Sequence, residues 1–258
     1  MQIYQLNTAR NCLRVIIRVY GIKEIFMPYY ICPCLWQACR AENCEVKFYH
    51  INDEFYPTQD FDEKSYILYP NYFGICGENV LRLEKSYKNL IVDNAHAFYM
   101  KPCGLASFNS YRKFFPKVLD GANLFIDANI DLPISKYDYD LSLQNYNDFV
   151  KNELRLNSEV PMFISQDTKE NIQKINFAAE KERRMRKFYE RHKTLIKSNE
   201  LNIKLSKFDV PFVYPYLSEN EINEPSFRYW SPLPKNFLEY KFYRYLKPLQ
   251  LIELPYLK

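Results

Sequence analysis

Asp93 closes the apolar run Leu90-Ile91-Val92-Asp93-Asn94-Ala95-His96, and farther along the chain comes Ser110-Tyr111-Arg112-Lys113. A carboxylate, a hydroxyl and an amine are the groups that pyridoxal phosphate requires of a protein. The amine holds the cofactor aldehyde as a Schiff base, the carboxylate keeps the pyridine nitrogen protonated, and hydroxyls and backbone N–H groups take the phosphate. Asp93, Ser110 and Lys113 have the right side chains. The pyridinium would then act as an electron sink, with Lys113 as general base and acid. For that work the lysine pKa must fall, through desolvation and a nearby cation such as Arg112. Taken singly, Asp93 also reads as a turn or cap residue, and Lys113 as a solvated surface lysine.

Phosphate donors concentrate at helix N-termini. Asn7-Thr8 precedes Ala9, Cys12, Leu13, Ile16, Ile17 and Tyr20 at helical spacing, with Gly21 as a stop, so a helix is expected over 8–20. Asn7 and Thr8 are therefore phosphate candidates, although capping alone explains them equally well. Short apolar segments at 24–27, 46–49, 66–69, 90–92 and 123–126 read as buried strands. Helix-compatible stretches at 33–43 and 78–88 lie between them. Alternating strands and helices predict an α/β fold with a mainly parallel sheet, which puts Asp93 at the carboxyl end of a strand, where such sheets bind ligands. Farther on, one long helix is expected over 167–198, a strand at 210–214, a helix at 236–246 and a last strand at 251–254. The expected division is a large domain, 1–166, and a bridging helix with a small domain, 167–258. The stretch 127–161 has no readable period.

Composition narrows the alternatives. With 47% apolar and 26% charged residues in 258, the chain has the balance of a soluble globular protein. A net charge of +4 is too small to make nucleic acid or an anionic membrane the main partner. No apolar run approaches the length of a membrane span. Seven cysteines without a recognisable leader predict reduced thiols and a cytoplasmic location. Cys32, Cys34, Cys39 and Cys44 lack the paired spacing of a structural zinc site, so no metal is expected and they read as buried thiols. The basic run Lys181 to Lys187 reads as a solvated helix face, with an RNA contact as the less favoured reading.

The order of these segments resembles the DegT/DnrJ/StrS family of fold-type I pyridoxal phosphate enzymes, mostly aminotransferases acting on nucleotide-linked keto sugars. Asn7-Thr8-Ala9-Arg10-Asn11-Cys12-Leu13 is similar to the family's opening Gly-Thr/Ser-x-Ala-Leu segment. Pro28-Tyr29-Tyr30 is similar to its Pro-x-Tyr turn, and Tyr72-Phe73-Gly74 to its aromatic-Gly loop. Val92 to Ala97 resembles Glu-Asp-x-Ala-Gln/His-Ala, which implies Asp93 at the pyridine nitrogen and His96 close to the cofactor ring. Ser110-Tyr111-Arg112-Lys113 resembles the family's lysine motif, followed by Asp120-Gly121-Ala122 in place of Gly-Gly. Val210-Pro211-Phe212 and Tyr229 to Pro234 resemble small-domain elements.

The resemblance implies a homodimer, an amino-acid donor such as glutamate, a keto-sugar acceptor and a ping-pong reaction. Lys113, where a dehydratase subgroup has histidine, implies transamination. The chain also departs from the family. It is shorter than usual, has Cys32 where an aromatic commonly stacks on the cofactor, and lacks the Gly-x-Asn-x-Arg segment of the neighbouring subunit. Tyr30 and Tyr72 are the substitutes for the missing stack. A fold-retaining protein that binds cofactor or sugar without turnover is the competing reading.

Overall fold

The computed structural model describes residues 1–115, 118–136, 151, 154–157, 159–218, 226–227 and 249–253. The elements run β1 (Gln2–Leu6), α1 (Ala9–Tyr20), β2 (Glu24–Pro28), α2 (Pro33–Ala41), β3 (Glu45–Tyr49) and β4 (Ile67–Pro70). A 3-10 turn, Tyr72–Gly74, leads to α3 (Gly77–Ser86), β5 (Leu90–Asn94), β6 (Ala106–Asn109) and β7 (Ala122–Ile126). Then come α4 (Gln166–Gln173), α5 (Phe177–Leu195), β8 (Val213–Leu217), β9 (Ser226–Phe227) and β10 (Leu249–Glu253).

Seven strands form one sheet in the order β1-β7-β6-β5-β4-β2-β3. Strands β2 to β6 are parallel, β7 runs antiparallel to β6, and β1 antiparallel to β7. Two reversals bring β1 back into the direction of β5 and β6. The carboxyl ends of β1, β4, β5 and β6 therefore share one sheet edge, with the start of β7 between β1 and β6. The middle strands are apolar on both faces, as parallel strands covered on each side must be. Ile91 belongs to the core beneath α1 and α2, while Leu90 and Val92 belong to the core beneath α3.

Local chemistry explains the boundaries. Thr8 is the N-cap of α1, its hydroxyl accepting from the Asn11 N–H at 3.1 Å, and Gly21 ends the helix at φ 61°. The expected 167–198 helix is two helices, because the Asn176 side chain accepts from the Ala179 N–H at 3.0 Å and starts α5 afresh. The expected strand at 210–214 begins three residues later, at Val213. Its first part is diverted to the loop after β4, where the Phe212 N–H donates to the Phe73 carbonyl at 2.8 Å. Strands β1 and β6 were not expected from the sequence. The expected helix at 236–246 and the segment Tyr229 to Pro234 lie outside the described residues. Strands β8, β10 and β9 make a separate sheet. Among the described residues no helix is long and apolar enough to cross a membrane.

Gly74 permits the close approach of the 210–212 segment. At φ 73° it occupies the left-handed region, and a Cβ there would collide with the carbonyl oxygens of His96 and Val210. Gly74→Ala is expected to destabilise the protein by about 1–3 kcal/mol, read by urea denaturation. An unchanged midpoint would contradict the packing described for this loop.

Candidate active site

At the shared sheet edge lies a cavity of about 300 Å3, at the small end of the usual range for ligand sites. Asn7, Thr8, Asp93, His96, Ser110 and Lys113 all line it. Asp93 arrives from the end of β5 and His96 from the turn that follows. Ser110 directly follows β6, and Lys113 sits in the turn after it, held by the Phe114 N–H donating to the Tyr111 carbonyl at 2.9 Å. Thr8 and Asn7 stand between β1 and α1. The Gly121 N–H donates to the Asn7 carbonyl at 2.7 Å, joining the start of β7 to the same corner.

Lys113 Nζ lies 3.1 Å from His96 Nε2. The His96 ring stacks on Phe212 at 4.9 Å between centroids, with Phe73 at 6.0 Å. Burial, reinforced by the charge of Lys113, pushes the His96 imidazole well below its usual pKa. The ring is therefore neutral, and Nε2 can accept from the ammonium when Nδ1 carries the ring proton.

Asp93 is held differently. Burial drives its pKa up to about 7, against the opposing pull of the Ala95 N–H, which donates to Oδ1 at 2.8 Å, and of the Lys113 charge. Asn71 fixes the neighbouring strand ends, with its N–H on the Asp93 carbonyl at 2.9 Å and its side-chain amide on Asn94 Oδ1 at 3.2 Å.

The other sequence-based candidates fare unequally. Asn7 borders the cavity, but its side-chain amide donates to Glu159 Oε2 at 2.9 Å and to the Val160 carbonyl at 3.0 Å, so it serves the framework. Thr8 presents a hydroxyl beside the first N–H groups of α1, which have no intrahelical acceptors. Tyr30 is a correction. Its side chain is in the core, 1% exposed, packed on Tyr72 at 5.7 Å, and the Tyr72 hydroxyl donates to the Tyr30 carbonyl at 2.7 Å. Neither tyrosine lines the cavity. Cys32, at the position of the usual stacking aromatic, does line it, together with Cys34, Arg10, Gln37, Asn71 and Arg112. Of these, Gln37 and Asn71 carried no site signal in the sequence, Arg10 entered only within the motif that begins at Asn7, and Cys34 read only as a buried thiol. Phe212 could be assigned only to a strand.

Arg184, on α5 and 1% exposed, ties the lysine turn to the segment under His96. It donates to the Phe212 carbonyl at 2.9 Å and the Phe114 carbonyl at 3.4 Å, and its guanidinium lies over the Phe114 ring at 4.3 Å. Glu180 offsets its charge at 2.8 Å.

The donor set fits pyridoxal phosphate. An amine and a protonatable carboxylate share one cavity, and a capped helix N-terminus with Thr8 and Ser110 provides for an anion.

Neither a protein-family sequence model nor any curated protein sequence matches the chain. Solved structures do match it over nearly its whole length. A DegT/DnrJ/EryC1/StrS aminotransferase from Brucella abortus shares 13% identity, covering 100% of this chain and 82% of its own, with a TM-score of 0.64. DesV of S. venezuelae, in complex with a ketimine intermediate, shares 12% identity over 97% of this chain and 79% of its own, with a TM-score of 0.64. NtdA of Bacillus subtilis, with its cofactor PMP bound, shares 10% identity over 99% of this chain and 69% of its own, with a TM-score of 0.66. The chain has the α/β fold of these aminotransferases.

The raised pKa of Asp93 makes stability fall with pH in the cofactor-free protein. Between the unfolded value near 4 and the folded value of about 7, the folded state keeps a proton that the unfolded state releases, so unfolding becomes easier as pH rises. Wild-type protein is expected to lose on the order of 3–4 kcal/mol across this window relative to Asp93→Asn, measured by urea denaturation at several pH values. Parallel profiles for the two proteins would show that Asp93 is not desolvated.

Proposed function

We propose that this protein is a pyridoxal phosphate-dependent aminotransferase, which takes an amino group from an amino acid, glutamate by family resemblance, and passes it to a keto sugar. The observation that carries the reading is the convergence of Asp93 and Lys113 on one cavity at the carboxyl edge of a sheet with this fold. Bound there, pyridoxal phosphate supplies an electron sink for the pair left when a C–H bond beside nitrogen breaks.

The protein's own groups do the rest. Lys113 Nζ would hold the cofactor through its aldehyde and, once freed by an amino substrate, would serve as the base and acid that takes up and returns a proton. His96 is kept neutral by burial and supports Lys113 from 3.1 Å as a hydrogen-bond acceptor. Asp93 would pair with the protonated pyridine nitrogen. Beside that positive charge the buried carboxyl of Asp93 would return to its ionised form. Thr8, Ser110 and the first N–H groups of α1 would hold the phosphate and so orient the group toward Asp93 and Lys113. One lysine serves both half-reactions, which is why donor and acceptor take turns in the same cavity.

The same reading takes the chain to be a cytoplasmic homodimer in the service of sugar biosynthesis, with residues 1–166 as the cofactor-binding domain and 167–258 as the smaller one.

Purified protein mixed with pyridoxal phosphate is expected to show a visible absorbance band, absent in Lys113→Ala, and borohydride should fix the cofactor mass on Lys113. Glutamate should then bleach the band in wild-type protein, and a keto sugar should restore it. A band that glutamate leaves untouched would make the protein a cofactor binder without turnover. No band at all would overturn the reading.

A further inference from the structure

Cys32-Pro33-Cys34 opens α2, with Cys32 at the N-cap and Pro33 in the first turn. Proline there fixes its own φ and suits a helix start, which holds the two flanking cysteines in a defined relation. Both side chains line the cavity that contains Lys113 and Asp93. Their sulfurs are 3.2 Å apart, closer than the sum of two sulfur radii, and both are free thiols. The other five cysteines, Cys12, Cys39, Cys44, Cys76 and Cys103, are buried. The two sulfurs also differ in character. The hydrogen bond with Cys34, helped by the Lys113 charge, brings the Cys32 thiol down to about 6 against the effect of burial, whereas the Cys34 thiol is pushed up. Cys32 at the helix N-cap is the sulfur we assign to react first, with Cys34 at 3.2 Å to resolve it.

We propose that Cys32 and Cys34 are a reversible dithiol–disulfide pair in the wall of the cavity, oxidised by a hydroperoxide and reduced by a thiol. The Cys32 thiolate attacks the outer peroxide oxygen. The O–O bond breaks, the remaining oxygen leaves as water or an alcohol after taking a proton, and Cys32 becomes a sulfenic acid. Cys34 sulfur then attacks the Cys32 sulfur, the S–S bond forms, the S–O bond breaks, and the hydroxyl leaves with the Cys34 proton as water. Two thiols lose two electrons in all, and one hydroperoxide gains them. A dithiol reductant reverses the change, giving up two electrons and two protons and leaving as its own disulfide. Oxidation replaces two thiols in the wall that Lys113 shares with a disulfide that has no S–H to donate. The pair needs no cofactor to react, so it stands or falls separately from the aminotransferase reading.

The test uses the full-length protein, reduced and desalted, exposed to hydrogen peroxide, and then alkylated. Cleavage after Lys23 and Arg40 releases one peptide that carries Cys32, Cys34 and Cys39. That peptide is expected to be lighter by two hydrogens, with Cys39 alone alkylated, and to return to the fully alkylated form after dithiothreitol. Cys34→Ser should leave Cys32 to accumulate as sulfenic and then sulfinic acid. Lys113→Met should slow the reaction of Cys32 severalfold. Alkylation of both Cys32 and Cys34 after peroxide, or a disulfide that joins either to Cys39, would overturn the proposal.

Discussion

A carboxyl group buried at the end of a central strand resists ionisation unless something positive comes to meet it. Asp93 is in that position, held by one backbone N–H and by the more distant charge of Lys113, and these leave its pKa at about 7. A group so placed adds nothing to stability, because a neutral residue of the same shape would satisfy the fold better. It makes sense as one half of a pair whose other half is a protonated ring. The neutral His96 imidazole stacked on Phe212, and Lys113 beside it, follow the same pattern of polar groups kept dry around a defined space.

The sheet order makes that space possible. Because β1 returns antiparallel to β7 at the sheet edge, the N-terminus of α1 comes to the carboxyl ends of β5 and β6, and residues from three distant stretches meet. The second requirement is stiffness around Lys113. Its turn rests on Phe114, which lies under the buried Arg184, and Arg184 also holds the Phe212 carbonyl. Gly74 allows the same segment to approach the turn after β5. Arg184 of helix α5 and Phe212, just before β8, thus support the lysine turn from outside the cavity lining.

Much of this was legible in the sequence wherever one signal dominated. Leu90 to Val92 are buried on both faces, so their apolar run marked a strand unambiguously, and Thr8 with Gly21 bracketed α1. Strand β6 was not legible, because Ala106-Ser107-Phe108-Asn109 alternates over only four residues, too short a run to stand out, and pairing with β5 and β7 makes it a strand. Strand β1 is an edge strand with Ile3 exposed, which leaves few apolar residues to read. The break at Asn176 lay in a single side-chain cap within a charged stretch. Tyr30 misled for another reason. Its motif position fixed the backbone turn, but the core beneath Tyr72 and Phe73 claimed the ring. The cavity wall formed by Arg10, Asn71 and Cys34 has no sequence period, since it is assembled by topology.

The most direct measurement is a crystal structure of the protein grown with pyridoxal phosphate. The account predicts density continuous from Lys113 Nζ to the cofactor, the ring nitrogen within hydrogen-bond distance of Asp93, and the phosphate at Thr8 and Ser110. A cofactor bound elsewhere, or a ring turned so that Asp93 faces no nitrogen, would contradict it.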